Sequence, residues 1–464
     1  MALNIKSISF KELETANRFD ARYFFLQDTI EKFSNNSNFQ LVDLGKKDLL
    51  IEITDGEHAG QTFVEQGIRF IKNSSVKDFD ISLTDGFFIS EYKHALLSRS
   101  AVQSKDILFT TIGHLGSATI VPEEYGEANI NQNLVRMKIN EKFIDPYYLA
   151  AFLNSSFVRR QIDCLFTGNI QKILTYPKIK KIKILKASTE FQKDIREKYL
   201  EAISCSKLAL KNIEQVIKLI REKLKLDEFD SVSNSTYEVN FTEIKDTLWT
   251  PKYYYPRYIS TIEYLKKNFK CLPLSELIKY KSGDEVGSDA YNSYLDKKTT
   301  DLPFIRTSDI YNYQYDICPD NFVSKDIFDE LEQEIESGNI LFSNDGKIGM
   351  ITMISRNDPI IVQSHINIIK VKSTEITAEY LYAMLMVNEI NAYQCDKCTV
   401  IQSTIPTLAN RLNEFIIPIL EDNFIKEITR LIKTSNQLFD QKRAIIKEIQ
   451  NKIEVLLENI ENQN

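Results

Sequence analysis

One stretch of the chain, residues 188–226, contains neither glycine nor proline, which restricts what the surrounding sequence can fold into. Hydrophobic and small residues recur in it every three or four positions, as the buried stripe of an amphipathic helix requires, and strong helix formers fill the rest. The Thr-x-x-Gln sequence of residues 189–192 has the form of a capping box and predicts a helix start near Ser188. Such a helix is too long for one small domain. We therefore predict that it is a spacer between folded regions and that its apolar stripe packs against another surface.

A second stretch without glycine or proline covers residues 422–464. Its apolar positions keep a three-four spacing from Ile425 to Ile460, interrupted only by Ser435 and Lys442, which is the pattern of a coiled-coil seam. Because only a short linker separates the first helix from the next folded region, the second helix is predicted to run back antiparallel to the first. Small residues at the centre of the first seam predict large side chains packed opposite; they are Ala202, Ser206 and Ala209. The residues predicted to form the seam or to meet a partner along it are Ile195, Ile213, Ile220, Ile432, Phe439, Ile446 and Ile453.

The sequence before the first long stretch recurs before the second. Leu302–Ser308 repeats Ile68–Ser74, and Asn339–Gly349 repeats Asp106–Gly116 with both glycines in register. Other matches are shorter: Val362–His365 with Asn131–Leu134, Glu379–Leu381 with Tyr147–Leu149, and Ile401–Gln402 with Ile170–Gln171. The offset stays between 231 (Asn131 to Val362) and 234 (Ile68 to Leu302), which indicates an internal duplication.

The duplication predicts four segments. They are a globular domain at 1–187, a long helix at 188–226, a linker and second globular domain at 227–421, and a second long helix at 422–464. Short β-rich runs ended by turn residues, with a helical patch at Pro146–Ile162, predict the α+β fold class for each globular domain. Two tandem heads joined by an antiparallel coiled coil would form a pseudo-twofold dumbbell.

Charge is distributed unevenly along the chain, whose formal net charge is −7. Residues 1–187 carry 24 Lys and Arg against 22 Asp and Glu, and residues 188–226 carry 9 against 6. The remainder carries 25 against 37, which is more acidic than simple phosphate binding predicts.

Composition and motifs argue against membrane proteins and against the commoner enzymes. There is no apolar run long enough to cross a bilayer, no signal-peptide pattern at the first residues, and six scattered cysteines, so we expect a cytoplasmic protein. Phosphate-binding and dinucleotide-binding glycine motifs are absent, so no cofactor is expected. Cys395-x-x-Cys398 lacks a second pair at zinc spacing, and the four histidines are dispersed, so we predict neither a metal site nor a catalytic residue.

The loops that follow the repeated strands are the candidate binding residues. They combine glycine with amide, hydroxyl and basic side chains, which can pair with base edges and phosphates of DNA. The candidates are Lys72, Asn73, Ser74, His114, Asn169, Gln171, Lys172, Arg306, Thr307, Ser308, Lys347, Gln402 and Ser403. Each is also compatible with an ordinary solvated turn. Lys178–Lys183 alternates lysine with isoleucine. This pattern indicates either a strand with one basic face or an exposed edge strand whose lysines prevent pairing with another chain.

Together these features resemble the specificity subunit of type I restriction–modification systems. The resemblance rests on the duplicated Phe-Thr-Thr-Ile-Gly-His-Leu-Gly and Phe-Ser-Asn-Asp-Gly-Lys-Ile-Gly loops, the Ile-Asn-Gln-Asn-Leu run at 130–134, and Asp145-Pro-Tyr-Tyr-Leu before a helix. Arg18-Phe-Asp-Ala-Arg-Tyr-Phe and its counterpart Trp249-Thr-Pro-Lys-Tyr-Tyr are also similar to this family. The second copy departs from the pattern where Val-Gln-Ser-His replaces Asn-Gln-Asn-Leu.

The resemblance implies two target-recognition domains, each reading one half of a split double-stranded DNA site, with the helices fixing the gap. It further implies that the helices dock two methyltransferase subunits, to which nuclease/translocase subunits are added, and that catalysis belongs to those partners.

Two other functions stay open. A self-contained DNA-modifying enzyme would act alone and lose activity when Asp358 or Glu91 is changed, since Asn357–Ile360 loosely resembles an amino-methyltransferase motif, and Asp85 with Glu91-Tyr92-Lys93 a nuclease motif. A coiled-coil scaffold whose heads bind protein would keep its DNA selectivity unchanged when a head is exchanged.

Overall fold

The chain forms two compact units in the computed structural model. Unit 1 comprises Met1–Ala202 and Ala444–Asn464, and unit 2 comprises Ile203–Arg443. The structure describes residues 6–16, 19–35, 39–57, 62–84, 86–113, 115–166, 172–229, 236–244, 249–287, 289–293, 298, 300–316, 318–402 and 404–462. The division falls within both long helices, whereas the sequence placed the boundaries at the helix ends. None of the described helices is both long and apolar enough to span a membrane.

Among its described residues, unit 1 has twelve short strands and six α-helices before the long helix. Its strands are β1 (Gln40–Asp43), β2 (Leu50–Asp55), β3 (Ile68–Ile71), β4 (Val76–Lys77), β5 (Asp80–Ile81), β6 (Phe88–Ile89), β7 (Ala101–Val102), β8 (Ile107–Thr110), β9 (Ala118–Ile120), β10 (Ala128–Ile130), β11 (Leu134–Ile139) and β12 (Lys183–Lys186). Its helices are α1 (Phe10–Ala16), α2 (Ala21–Asn35), α3 (Glu91–Leu96), α4 (Pro146–Leu153), α5 (Ser156–Leu165) and α6 (Tyr176–Ile179), followed by the start of the long helix α7 (Thr189–Lys223).

The described strands of unit 1 form two four-stranded sheets and two two-stranded pairs, β1–β12 and β4–β5. One has the order β2-β11-β8-β9, with every neighbouring pair antiparallel. The other has the order β6-β3-β10-β7, in which β3 and β10 are parallel. All four residues of β8 are buried, as expected for a continuous apolar run at the centre of a sheet.

Unit 2 contains the corresponding elements. Its strands are β13 (Cys271–Pro273), β14 (Ile278–Ser282), β15 (Tyr291–Ser293), β16 (Leu302–Ile305), β17 (Ile310–Tyr311), β18 (Gln314–Tyr315), β19 (Asn321–Val323), β20 (Ile340–Ser343), β21 (Ile351–Met353), β22 (Ile361–Val362), β23 (Ile366–Val371), β24 (Val400–Gln402), β25 (Ile405–Thr407) and β26 (Ile416–Pro418). Its helices are α8 (Pro256–Asn268), α9 (Leu274–Leu277), α10 (Lys325–Leu331), α11 (Ala378–Met384) and α12 (Ala392–Cys398), followed by the start of the long helix α13 (Asp422–Asn462).

The sheet topology repeats between the two units. The order β14-β23-β20-β21 matches β2-β11-β8-β9, and β19-β16-β22 matches β6-β3-β10, again with one parallel pair. The β17–β18 hairpin matches β4–β5, and the β13–β26 pair matches β1–β12. The units differ at opposite edges of this sheet: unit 1 adds β7 beside β10, and unit 2 adds β15 beside β19, the counterpart of β6. The internal duplication read from the sequence is therefore a duplication of fold.

The structure corrects one of the sequence alignments. The Gln363 amide donates to the carbonyl of Ile305, the last residue of β16. In the same way, the Asn131 amide donates to the carbonyl of Ile71, the last residue of β3. Leu134 and Ile366 each then bond back to these residues, as the first residues of β11 and β23. His365 therefore corresponds to Asn133, one position from the alignment with Leu134 that residue similarity favoured.

The predicted basic strand and the predicted helical patch also need correction. Residues 176–179 form helix α6, and β12 begins only at Lys183, because Pro177 suits the first turn of a helix and not a sheet interior. The patch at 146–162 is two helices separated at Asn154 and Ser155, where Ser155 caps α5 by accepting from the Val158 amide.

Helix α7 begins where the sequence indicated, but through a different cap. Ser188 Oγ accepts from the Phe191 amide at 3.2 Å. Gln192 does not complete a capping box with Thr189; its amide nitrogen donates to the Ala187 carbonyl at 2.7 Å, and its oxygen accepts from the Asp145 amide at 2.9 Å. The cap therefore ties the start of α7 to the start of α4. Helix α7 ends at Lys223, three residues before the predicted Leu226.

Within each unit, the two long helices are joined by ion pairs in opposite chain order. In unit 1, Asp194 pairs with Lys452 at 2.7 Å and Lys198 with Glu448 at 2.8 Å. In unit 2, Lys223 at the end of α7 pairs with Glu421, which directly precedes α13. The pKa of Lys198 is raised, chiefly by its hydrogen bond to Glu448.

The seven predicted seam residues are all buried, as are the two polar members of the second seam. In unit 2, Ile213, Ile220, Ile432 and Phe439 belong to one hydrophobic core that also includes sheet residues such as Phe342. Lys442, only 3% exposed, places Nζ 3.4 Å from Ser206 Oγ and 3.5 Å from Gln314 Oε1. Ser206 therefore lies against a buried lysine, and Phe439 shares a core with Ala209.

Candidate nucleic-acid interface

Five segments of unit 1 meet where the parallel strands β3 and β10 end. We call residues 56–57, 72–74, 111–113, 131–133 and 172–174 edge 1. The Asn131 amide donates to the Ile71 carbonyl at 3.1 Å, and the Gln132 amide to Glu57 at 3.0 Å. Across the loops, the Gly113 amide donates to Lys172 at 3.3 Å, and the Leu174 amide to Thr111 at 3.0 Å. Edge 1 is thus a set of loops held together by backbone hydrogen bonds.

Unit 2 repeats this edge bond by bond. We call residues 283–285, 306–308, 344–347, 363–365, 400–402 and 404–407 edge 2. The bonds equivalent to those of edge 1 are Gln363 N to Ile305 O at 2.9 Å, Ser364 N to Asp284 O at 3.1 Å, Gly346 N to Pro406 O at 2.9 Å and Leu408 N to Asn344 O at 3.1 Å. Similar backbones therefore carry different side chains at the two edges.

Glycines make this edge geometry possible in both units. An added Cβ on Gly56 would lie 1.9 Å from the Ile130 carbonyl oxygen, and one on Gly283 would lie 2.2 Å from the Val362 carbonyl oxygen. Gly113 and Gly346 open the repeated loops with φ angles of 77° and 72°, which glycine adopts without strain.

Four of the predicted binding residues, Lys72, Asn73, Ser74 and Lys172, lie on edge 1. The Lys72 ammonium lies 3.2 Å from the centre of the Phe87 ring, and Asn73 donates to the Ile112 carbonyl at 3.0 Å. Ser74 is exposed, and Lys172 lies over the Phe166 ring at 4.6 Å. The side-chain oxygen of Asn73 is buried and has no hydrogen-bond partner among the residues that the structure describes. His114, Asn169 and Gln171 lie outside the described residues.

Five of the predicted residues of unit 2 are described, and all five lie on edge 2. Arg306 donates to the Asn321 side-chain oxygen from Nη2 at 2.8 Å and from Nε at 3.1 Å, in the amide orientation that satisfies both groups. Thr307 and Ser308 occupy the turn that follows, and the exposed Lys347 lies in the glycine loop. Gln402 is exposed at the tip of the β24–β25 hairpin, beside Ile401, which is 76% exposed. Ser403 lies outside the described residues.

Edge 2 also contains a residue that the sequence did not single out. His365 Nδ1 lies 2.9 Å from Asp345 Oδ2, and the imidazole is 40% exposed. Hydrogen bonds continue inward from Asp345 to Asn344 at 3.1 Å and from Asn344 to the buried Asn367 at 3.2 Å. The sequence contains this histidine in the Val-Gln-Ser-His run. The alignment was shifted by one position and paired it with Leu134, so its place on the edge was not predicted.

Carboxylates at edge 1 are paired with a cation. Asp55 accepts from Arg99 at 2.7 Å, and Arg99 also lies 3.9 Å from Glu57. Burial acts to raise the pKa of Asp55, but the hydrogen bond from Arg99, together with the nearby Tyr176 hydroxyl and the charge of Arg99, outweighs it, so this pKa lies below its ordinary value. The Asp55 carboxylate beside edge 1 is therefore paired with a cation.

The cysteine pair and Asp358, which belong to sequence motifs considered for chemistry, have structural contacts. Cys395 and Cys398 are buried, and burial raises the pKa of the Cys395 thiol well above its ordinary value. Asp358 accepts from the Tyr315 hydroxyl at 2.6 Å. Across the described part of the chain, no cluster of His, Cys, Asp and Glu could hold a metal ion. Asp85 of the nuclease-like set lies outside the described residues, and Glu91 begins α3.

Comparisons with known proteins give structural neighbours only. No family model and no curated protein matches the chain. A type I restriction-modification system S subunit from M. genitalium is 14% identical with a TM-score of 0.33, covering 92% of this chain and 98% of that one. An HsdS subunit from Thermoanaerobacter tengcongensis is 15% identical with a TM-score of 0.28, covering 91% and 96%. A structure describing complex assembly and conformational transition of the type I R-M system is 13% identical with a TM-score of 0.29, covering 92% and 97%. Architecture alone does not establish function, so we infer function from the chain's own residues.

Proposed function

We propose that this chain is the DNA sequence-specificity subunit of a type I restriction–modification complex. The observation that carries the proposal is the pair of equivalent loop edges, one on each unit, with the same backbone bonds and different side chains. A protein that reads two different half-sites needs this combination. In the proposed mode, amides and hydroxyls of each edge contact base edges in the major groove, while Lys72, Lys172, Arg306 and Lys347 contact bases or phosphates.

In this proposal the long helices form an antiparallel coiled coil that sets the gap between the half-sites. Support comes from contacts at equivalent positions of the two units. In unit 1, Ser156 at the start of α5 donates from its amide to Glu454 of α13 at 2.7 Å. In unit 2, Glu389, offset from Ser156 by 233, pairs with Arg221 of α7, which has the same offset from Glu454. Each head thus contacts the end of the helix that begins in the other unit.

The catalytic steps of such a complex would belong to its partners. We propose that two methyltransferase subunits dock along the helices, that nuclease/translocase subunits complete the assembly, and that this chain contributes specificity without a cofactor. Positive potential supplied by partners would offset the acidity of the second half of the chain. The pairing of Asp55 and Glu57 with Arg99 favours DNA binding at edge 1 in the same way, because it offsets negative charge there.

The test is to map methylation in a host that carries this chain and its methyltransferase, using long-read sequencing. The expected result is one split motif with two specific halves. Exchanging residues 1–187 for the first head of another family member should change one half only. The exchange should retain Ser188 and Gln192. The incoming head should place backbone groups where the Asp145 amide and the Ala187 carbonyl lie, so that the cap of α7 is preserved.

Two outcomes would favour the alternatives. A continuous motif, or methyl transfer or cleavage by the purified chain alone, would support a self-contained enzyme, and loss of that activity in Asp358→Asn would locate it. Unchanged DNA selectivity after head exchange would support a coiled-coil scaffold.

A further inference from the structure

His365 is held by a chain of polar side chains that runs from the interior of unit 2 to its surface. Ser282 donates to Asn367 at 3.2 Å, Asn367 to Asn344 at 3.2 Å, and Asn344 to Asp345 Oδ1 at 3.1 Å. The other oxygen of Asp345 faces His365 Nδ1 at 2.9 Å. Asn367 is only 1% exposed, so the inner end of this chain is fixed by packing. The imidazole at its outer end is therefore oriented before any ligand arrives.

The contact with Asp345 determines which ring nitrogen carries the proton. An ionised carboxylate can only accept, so Nδ1 of His365 is the donor in this pair. In the neutral ring, Nε2 then presents a lone pair and acts as an acceptor. Among the described residues, no side chain is hydrogen-bonded to Nε2, and the ring is 40% exposed on edge 2.

The equivalent positions of unit 1 contain no such chain. Asn133, Thr111 and Ile112 occupy the places of His365, Asn344 and Asp345, while the backbone bond between the two loops is kept. The Thr111 amide donates to the Asn133 carbonyl at 3.0 Å, as the Asn344 amide donates to the His365 carbonyl at 2.8 Å. A feature that stabilised the repeated fold would be expected in both units. A feature present in one unit only fits a contact that differs between the half-sites.

We propose that His365 is a specificity-determining residue of unit 2, accepting a hydrogen bond through Nε2 from the exocyclic amino group of a target base. This inference rests on the proposed function. In the major groove, adenine N6 and cytosine N4 are the amino donors, whereas guanine and thymine present acceptors at the corresponding places. Asp345 is a positioning residue, because it sets the ring orientation and the tautomer without reaching the base.

The experiment compares His365→Ala, Asp345→Ala and Asp345→Asn with the unsubstituted chain, each assembled with its methyltransferase and used to select binding sites from a randomised DNA library. In His365→Ala, we expect preference at one base position of the unit 2 half-site to fall about tenfold. Asp345→Ala should weaken the same position. Asp345→Asn should restore it in part, because the amide oxygen still accepts from Nδ1 while the amide nitrogen replaces the oxygen that accepts from Asn344.

Asn133→Ala is the matched control, since it changes the equivalent residue of unit 1 and should alter only the other half-site. The half-site read by unit 1 also reports folding and assembly in every His365 and Asp345 variant, and it should remain intact. If His365→Ala leaves every position unchanged, or if the affected position prefers guanine or thymine, the inference is wrong while the split motif remains. If the unsubstituted complex selects no split motif, the proposed function itself fails.

Discussion

Backbone contact at two glycines brings the ends of strands together at each edge. Gly56 approaches the Ile130 carbonyl so closely that no side chain fits, and the next residue, Glu57, donates from its amide to the same carbonyl at 3.1 Å. Gly283 repeats the approach at Val362, and the Asp284 amide repeats the hydrogen bond at 3.0 Å. The position of the loops therefore depends on the absence of two side chains.

Gly56→Ala should destabilise unit 1 by about 1–3 kcal/mol, because the new methyl group forces two backbone segments apart. Urea unfolding measures this loss, and hydrogen exchange at the Glu57 amide should accelerate as the edge opens. Gly126→Ala is the control: its φ of 79° makes alanine strained, but nothing lies within 4 Å of the added Cβ. It should cost about 1 kcal/mol and leave exchange at Glu57 unchanged. Equal behaviour of the two variants would show that the close approach is not what holds the edge.

At the same scale, the sequence predicted where most loop residues lie but not what they contact. The repeat itself located Lys72, Asn73, Arg306 and Lys347. A duplicated strand–loop pattern can be recognised in a sequence without knowing which residues are neighbours in the fold. The stacking of Lys72 on Phe87 and the pairing of His365 with Asp345 join residues far apart in the chain. No local periodicity contains such pairs, so they could be found only from the fold.

At the scale of elements, helices were predicted more accurately than the contacts at their ends. The absence of glycine and proline located α7 and α13 almost to the residue, since few other structures tolerate so long a run of helix formers. The capping box was wrong because Gln192 finds partners in Ala187 and Asp145. The basic strand was wrong because alternation of lysine and isoleucine could not reveal the helical turn begun by Tyr176 and Pro177.

Ser188→Ala should cost about 1 kcal/mol of stability, the usual loss when a hydroxyl that accepts from a first-turn amide is removed. The comparison is Thr189→Ala, one residue later on an exposed position, which should change the free energy of unfolding by less than about 0.5 kcal/mol. Thermal or urea unfolding of the two variants decides between the caps. A larger loss in Thr189→Ala would restore the capping box as the correct description.

At the scale of the whole molecule, the duplication explains why each long helix belongs to both units. The division between units falls after Ala202 in α7 and after Arg443 in α13. Within unit 1, the opposite chain order of the Asp194–Lys452 and Lys198–Glu448 pairs, continued by four residues, brings Ala202 to Ala444. Sequence predicted two heads and two helices, but it could not predict this division, because the contacts between head and helix depend on packing. The same two points are therefore where the proposed gap between half-sites can be altered with least disturbance to either head.

Inserting one heptad between Ala202 and Ile203 together with one between Arg443 and Ala444 should widen the gap in the methylated motif. Seven residues lengthen a helix by about 10 Å and preserve the seam, which corresponds to about three base pairs if the DNA stays unbent. Both half-site sequences should remain unchanged, because neither edge is touched. A heptad inserted in α7 alone is the control. Because it shifts Asp194 and Lys198 away from Lys452 and Glu448, the two long helices should no longer pair and assembly of the complex should be lost. Long-read methylation mapping gives the gap directly. A motif whose gap is unaltered by the paired insertion would show that the helices do not set the distance between the two readers.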